Sequence, residues 1–260
     1  MLRAVGFDLW ETLITDTPEL TRRQESLRFG RITAILEGRG ELEAAQQLER
    51  AYRDVWRRCH DLYWTRDEDI SCRRQIEHLI EELGLNPQAF EPEALDAIED
   101  AYARAALDVV PGVVDGALDV LKGVRARGMR VGLISNTGRT PGYVLREVLE
   151  RLELASEIDF MVFSNEHGEC KPKPSIFEHL RLGLDVRFEE TVFVGDNLHV
   201  DVVGAQLVGM RAVHFDPPVR GTAVAPAPLA PGEVMADARI TSLRELPGVL
   251  DSWIAQEGSR

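Results

Sequence analysis

The stretch that decides the fold is RAVGFDLWETLI, residues 3–14. Its first half, RAVGFDL, is the nearly unbroken apolar run of a strand buried on both faces, as central strands of a parallel sheet are. It delivers one carboxylate, Asp8, into a loop that ends at Thr12. Working outward, the texture changes at once, and from about Pro18 to Asp108 the pattern is helical. Leu48, Tyr52, Val55, Cys59 and Leu62 recur at helical spacing in one amphipathic segment. Ile76, Leu79, Ile80 and Leu83 mark a second, closed by the stop GLNP, and Leu95, Ile98, Tyr102 and Ala106 mark a third.

Past VVPGVV the texture changes again. MRVGLIS (129–135), FMVFS (160–164), TVFVGD (191–196) and RAVHF (211–215) are short apolar runs, and the first three lead into helical stretches, as parallel strand–helix–strand units require. The fold expected is therefore α/β: a Rossmann-like, doubly wound parallel sheet core formed by residues 1–15 and 109–260, with an α-helical cap domain, residues 16–108, inserted after the first strand. Inserts that leave from the catalytic face often lie over the site as lids. The Pro/Ala-rich tract DPPVRGTAVAPAPLAPGE (216–233) has no periodicity and reads as a surface loop before a last strand near Ala238–Thr241.

The formal net charge of −14 over 260 residues argues against nucleic acid and against anionic membranes as partners. A small anionic substrate would then need local positive charge or a metal ion to hold it. Cys59, Cys72 and Cys170 form neither a disulfide framework nor a zinc spacing. With no signal peptide or membrane span legible, a cytoplasmic protein is expected. Oligomeric state is not legible.

In an open parallel sheet, ligands bind beyond the carboxyl ends of the strands. Four such ends carry candidates: Asp8, Ser135 with Asn136, Lys171 on the loop after FMVFS, and Asp196. A single polar residue at a strand end means little, whereas an acid, a hydroxyl, a lysine and a second acid on separate strands form a constellation. FDLWETL (7–13), LISNTG (133–138), CKPKPSIF (170–177) and VFVGDNLHVDVVGAQLVGM (192–210) together resemble the haloacid dehalogenase superfamily, in the branch whose helical cap follows the first strand.

That resemblance implies Asp8 as a nucleophile forming a covalent aspartyl intermediate, Ser135 as a hydrogen-bond donor to the transferring group, and Lys171 as the neutralising cation. It places Thr12 and Asn136 beside the substrate. Asp8, Asp196 and the backbone carbonyl of Trp10 would hold Mg2+, a hard cation that takes oxygen ligands. Asp201 would orient Lys171 or a metal-bound water.

Trp10 departs from the family's phosphatases, which carry at that position an aspartate that protonates the leaving oxygen. General acid–base help of that kind is typically worth about 10²–10⁴-fold. Family dehalogenases also lack the acid and carry an aromatic residue there, because halide leaves without a proton. GDNLHVD points the other way, since a second carboxylate beside Asp8 costs repulsion unless a cation shares the site. The expectation is a Mg2+-dependent phosphatase acting on a small phosphorylated metabolite. A metal-independent 2-haloacid dehalogenase and a non-catalytic phosphate-ligand binding protein are the alternatives. Glu11, in the place of the family's usual glycine, or a cap residue such as His60, is a candidate for the missing proton donor. The cap arginines Arg57, Arg58, Arg73 and Arg74 read as a solvated face, and Trp56, Tyr63 and Trp64 as packing residues.

Overall fold

The computed structural model describes residues 1–217, 221 and 234–258, so most of the 216–233 tract lies outside the described residues. Six parallel strands form the main sheet: β1 (Ala4–Phe7), β4 (Arg130–Ser135), β5 (Phe160–Phe163), β6 (Thr191–Gly195), β7 (Arg211–Phe215) and β8 (Ala238–Ile240), in the spatial order β5-β4-β1-β6-β7-β8. The order reverses at β1, with β4 on one side and β6 on the other. The switch in strand order therefore falls just beyond Phe7, the place where ligands of such sheets bind. Two short strands, β2 (Ile14–Thr15) and β3 (Gly112–Val113), pair antiparallel where the chain leaves the core and where it returns.

Between them run α1 (Pro18–Gly38), α2 (Leu42–Leu62), α3 (Cys72–Glu82), α4 (Pro92–Ala103) and α5 (Ala105–Asp108). The expected periodicity holds in α2, where Leu48, Tyr52, Val55 and Cys59 are buried, but it fails at Leu62, the exposed last residue of the helix. Gly84 ends the α3 segment in the left-handed conformation (φ 75°) that favours glycine. Leu95, Ile98, Tyr102 and Ala106 do not share one helix: the chain breaks at Arg104, and Ala106 belongs to α5.

The remaining helices clothe the sheet: α6 (Ala117–Ala126), α7 (Gly142–Arg151), α8 (Ser164–His167), α9 (Pro174–Leu184), α10 (Gly204–Leu207) and α11 (Leu246–Gly258). Val120 and Leu121 of α6, Leu145 and Leu149 of α7 and Leu246 and Leu250 of α11 pack with Phe7 and Leu133 on one face. Ile176, Phe177 and Leu180 of α9 pack with Ile134 and Phe193 on the other. The sheet is thus covered on both sides, which is why its strands read as continuous apolar runs.

The inserted helices have their own apolar cluster, built on Leu48, Tyr52, Ile76, Leu79 and Tyr102, and it also takes in Val144 and Val148 from the far side of α7. A bidentate Arg104–Glu147 pair (2.9 and 2.7 Å) and a hydrogen bond from Arg151 to the Leu107 carbonyl (2.5 Å) add to that seam. Among the described residues no helix is long and apolar enough to cross a membrane.

Candidate active site

The site is assembled by the carboxyl ends of β1, β4 and β6 and by the loop after α8. Asp8 follows β1 directly, and its backbone N–H donates to the Val194 carbonyl (2.9 Å), tying it to β6. Its Oδ1 accepts from the Lys171 ammonium at 2.5 Å, and its Oδ2 from the Thr12 hydroxyl at 3.2 Å. Lys171 also donates to Asp201 Oδ1 (2.7 Å) and to the Ile134 carbonyl (3.2 Å). An ammonium has three protons, so all of Lys171's donors are used, at a side chain only 1% exposed.

Asp201 lies in a π-helical turn, Leu198–Val203, that opens on Asn197. The Asn197 side-chain oxygen accepts from His199 N (2.9 Å) and Val200 N (3.2 Å), while the Asn197 backbone N–H donates to Asp201 Oδ2 (2.9 Å). Gly195 makes this possible, because a Cβ there would lie 2.3 Å from the Asp201 carboxylate. Both Asp201 oxygens are therefore engaged with protein donors. Asp8, Asp196 and Asp201 each present an oxygen within 4.8 Å of the others. His214, on β7, donates its Nε2–H to the Asp196 carbonyl (3.1 Å) and so fixes the main chain at that strand end.

Burial pushes the Asp8 carboxyl up to about 6, against the pull of Lys171 and helped by the negative Asp201. For Lys171, burial works downward but is outweighed by Asp201 and Asp8, and the ammonium is held above its ordinary range. Among the described residues, Asp8, Asp196 and Asp201 are the acids close enough together to share a cation. The donor set is all carboxylate oxygen, which fits magnesium.

The other expected residues are placed differently. Ser135 is fully buried, with a long 3.5 Å contact to the Asn136 carbonyl. Asn136 spends its amide on the main chain of Lys171, donating to the carbonyl (3.0 Å) and accepting from the N–H (2.8 Å). Thr12 is likewise spent on Asp8. The Trp10 indole packs against the apolar cluster of β1 and α6. Glu11 takes a left-handed backbone, φ 59°, where a side chain costs about 1–2 kcal/mol and glycine costs nothing. Its Oε2 accepts from the Thr15 hydroxyl (3.0 Å) and from Gly221 N (2.6 Å), so the carboxylate turns toward β2 and not toward Asp8. His60 is exposed and paired with Asp61. Arg57, Arg58, Arg73 and Arg74 each meet a nearby carboxylate: Asp54, Glu81, Glu99 and Glu77.

His214 and Asn197 were not singled out from sequence, although their places beside GDN and at the end of the neighbouring strand are the signals that could have found them.

A doubly wound sheet with a helical insert after its first strand, and a lysine bridging two acids at the switch point, defines a hydrolase class. The family model for haloacid dehalogenase-like hydrolases matches residues 2–209, and the chain belongs to that family. Among its relatives is the ribulose-1,5-bisphosphate 5-phosphatase of Halopiger xanaduensis, 35% identical over 150 residues, a match that spans 58% of this chain and 61% of that protein's length. The glyceraldehyde 3-phosphate phosphatase of Pyrococcus abyssi is 27% identical over 83% of this chain and 82% of its own. Among solved structures, the 2-haloacid dehalogenase of Pseudomonas syringae is similar with a TM-score of 0.68 at 25% identity, covering 97% of this chain and 100% of that one.

Proposed function

We propose that this chain is a magnesium-dependent phosphatase acting on a small phosphorylated metabolite. The observation that carries the reading is Asp196 beside Asp8 and Asp201, the latter two bridged by the Lys171 ammonium. A direct displacement at carbon needs no metal ion, so it has no need of a second carboxylate beside Asp8 to hold one. Phosphoryl transfer gains from a cation that those acids can hold.

Asp8, Asp196 and the Trp10 carbonyl would hold the ion, and when bound it would neutralise charge on the transferring phosphoryl group. The rest of the chemistry belongs to side chains. An Asp8 oxygen attacks phosphorus and the ester oxygen leaves, giving an aspartyl phosphate that water then hydrolyses. Lys171 holds Asp8 oriented and ionised, and Asp201 holds Lys171. Ser135 would turn its hydroxyl to a phosphoryl oxygen, and Thr12 and Asn136 act beside it by fixing Asp8 and the Lys171 main chain. A cytoplasmic setting and the absence of nucleic-acid or membrane partners fit the net charge of −14.

A second reading, 2-haloacid dehalogenase, draws on Trp10 and on the solved dehalogenase relative. One experiment separates the two. Phosphate release from a panel led by phosphorylated sugars, the class named in the relatives, is measured with magnesium and with EDTA, beside chloride release from 2-chloropropionate. Magnesium-dependent phosphate release with no chloride is expected. Chloride release that survives EDTA and exceeds every phosphatase rate would make the chain a dehalogenase.

A further inference from the structure

Outside the reacting cluster, the buried acid Asp69 lies on the segment between α2 and α3 of the insert and is heavily hydrogen-bonded. Its Oδ1 accepts from the Trp64 indole N–H (3.0 Å) and Ile70 N (2.8 Å). Its Oδ2 accepts from the Ser164 hydroxyl at 2.5 Å and lies 3.0 Å from the Thr137 hydroxyl, whose single proton it shares as an acceptor with Asn165 Oδ1 at 3.1 Å. Thr137 lies two residues past the end of β4, and Ser164 directly follows β5. The main chain is joined there too: Asp69 N donates to the Gly168 carbonyl (3.0 Å), and Cys170 N to the Asp67 carbonyl (2.8 Å). Glu68 and Glu169 form an antiparallel bridge. The insert therefore pairs by backbone with the residues immediately before Lys171.

The loop after Ser135 is gripped along its length. Gln75 donates to the Gly138 carbonyl (3.0 Å), Arg139 lies over the rings of Tyr52 (4.0 Å) and Trp56 (4.4 Å), and Arg28 reaches the Thr140 hydroxyl (3.5 Å). One residue upstream of Thr137, Asn136 holds the Lys171 main chain from both sides.

We propose that Asp69 is a positioning residue for Lys171, acting as a clamp through which the helical insert sets the Ser135–Asn136 and Cys170–Lys171 backbones. The inference rests on reading Asp8 and Lys171 as the reacting pair. A carboxylate suits the clamp because it accepts two bonds on each oxygen, whereas an amide accepts on one side only.

Cys170 provides a readout independent of turnover. Its thiol is buried under the Glu68 carbonyl (3.7 Å), while Cys72 is buried inside the insert and reports on unfolding at large. Wild type, Asp69→Asn and Asp69→Ala are treated with iodoacetamide as full chains, and the labelling of each cysteine is followed by peptide mass spectrometry. In Asp69→Ala, Cys170 labelling should rise by about tenfold or more with Cys72 unmoved, as a local opening requires. With p-nitrophenyl phosphate and magnesium, kcat should fall by roughly 10–100-fold, the scale of a small misplacement of a reacting group, while KM stays within about threefold. Asp69→Asn should fall between the two proteins in both measurements.

Unchanged Cys170 protection and unchanged kcat in both variants would overturn the clamp. Cys170 and Cys72 rising together in Asp69→Asn would overturn it as well, by making Asp69 a stabiliser of the whole insert. A wild type that hydrolyses no phosphomonoester would count against the phosphatase reading alone, and the labelling would still decide the clamp.

Discussion

Two buried carboxyl groups, Asp8 at the end of β1 and Asp69 in the insert, are held in opposite ways. Asp8 is balanced by an ammonium at 2.5 Å that it shares with Asp201. Asp69 has no cation among its hydrogen-bond partners and is held by an indole N–H, a backbone N–H and two hydroxyls. A salt bridge in a buried site is costly to assemble and weak evidence for stability. On the proposed reading its use is reactivity: Lys171 would keep an anion ready at a place where an incoming group can compete for it. Four dipoles fixed on one carboxylate do the reverse and leave no lone pair in need of a ligand. The first environment suits chemistry and the second suits positioning.

The hardest test of that contrast is substitution of each acid by its amide. Asp8→Asn should lower phosphatase turnover by at least about 10³-fold, because an amide oxygen is too weak a nucleophile to open the covalent route. Asp69→Asn should cost less than the roughly 10–100-fold expected of Asp69→Ala. If the two losses are equal, the distinction between reacting and positioning acid collapses.

Removing the ammonium comes next. Lys171→Met leaves Asp8 and Asp201 buried as like charges, which should destabilise the fold by about 3–5 kcal/mol, read from the urea midpoint. Added magnesium should restore part of that loss. A midpoint equal to that of wild type would mean that Lys171 does not hold the acids together.

Trp10 sharpens the chemical side. Without an acid at that position, and with Glu11 turned toward Thr15, alkyl phosphates should be hydrolysed about 10²–10⁴-fold more slowly than activated aryl phosphates, the usual worth of general acid help. Rates across a graded aryl series, in wild type and Glu11→Gln, measure this. A steep dependence in both proteins is expected. A shallow slope in wild type that steepens in Glu11→Gln would return the proton to Glu11.

The strand-end half of this contrast was legible in the sequence and the insert half was not. Asp8, Ser135, Lys171 and Asp196 each follow a local pattern, an apolar run ending in a polar residue, and the parallel sheet gathers such ends by construction. Asp69 has no such signature. Its partners lie 68 and 95 residues away, and their meeting depends on how the insert docks against α7, which no periodicity encodes. Glu11 misleads for a related reason: its position invites a role in proton transfer, but a left-handed φ of 59° turns the side chain elsewhere. The spacing of Ala106 with Tyr102 is helical, yet the break at Arg104 is set by the bidentate pair with Glu147 and the turn into the core.

The smallest expected effect lies in the insert, whose interior holds a second titratable group. His78 is buried between the Tyr63 hydroxyl (3.1 Å) and Glu81 (3.2 Å), and burial holds its pKa below the ordinary histidine value, outweighing Glu81. The unfolded chain therefore takes up a proton near pH 6.5 that the folded one resists, so stability should fall as pH drops through that value. His78→Gln should narrow the melting-temperature difference between pH 7.5 and 5.5 by on the order of 2 °C. A difference as wide in the variant as in wild type would remove His78 from the account of the insert.

Calorimetric titration of magnesium into wild type and Asp196→Asn tests the central claim most directly, because it asks whether the acids at the strand ends bind a cation before any substrate is chosen. Asp196 is only half-buried, and its main chain is held by His214 through the backbone carbonyl, so the amide variant should keep the fold. Saturable binding in wild type that is lost in Asp196→Asn is the expected result. Equal heats in the two proteins, or none in wild type, would contradict the metal site and with it the phosphatase reading.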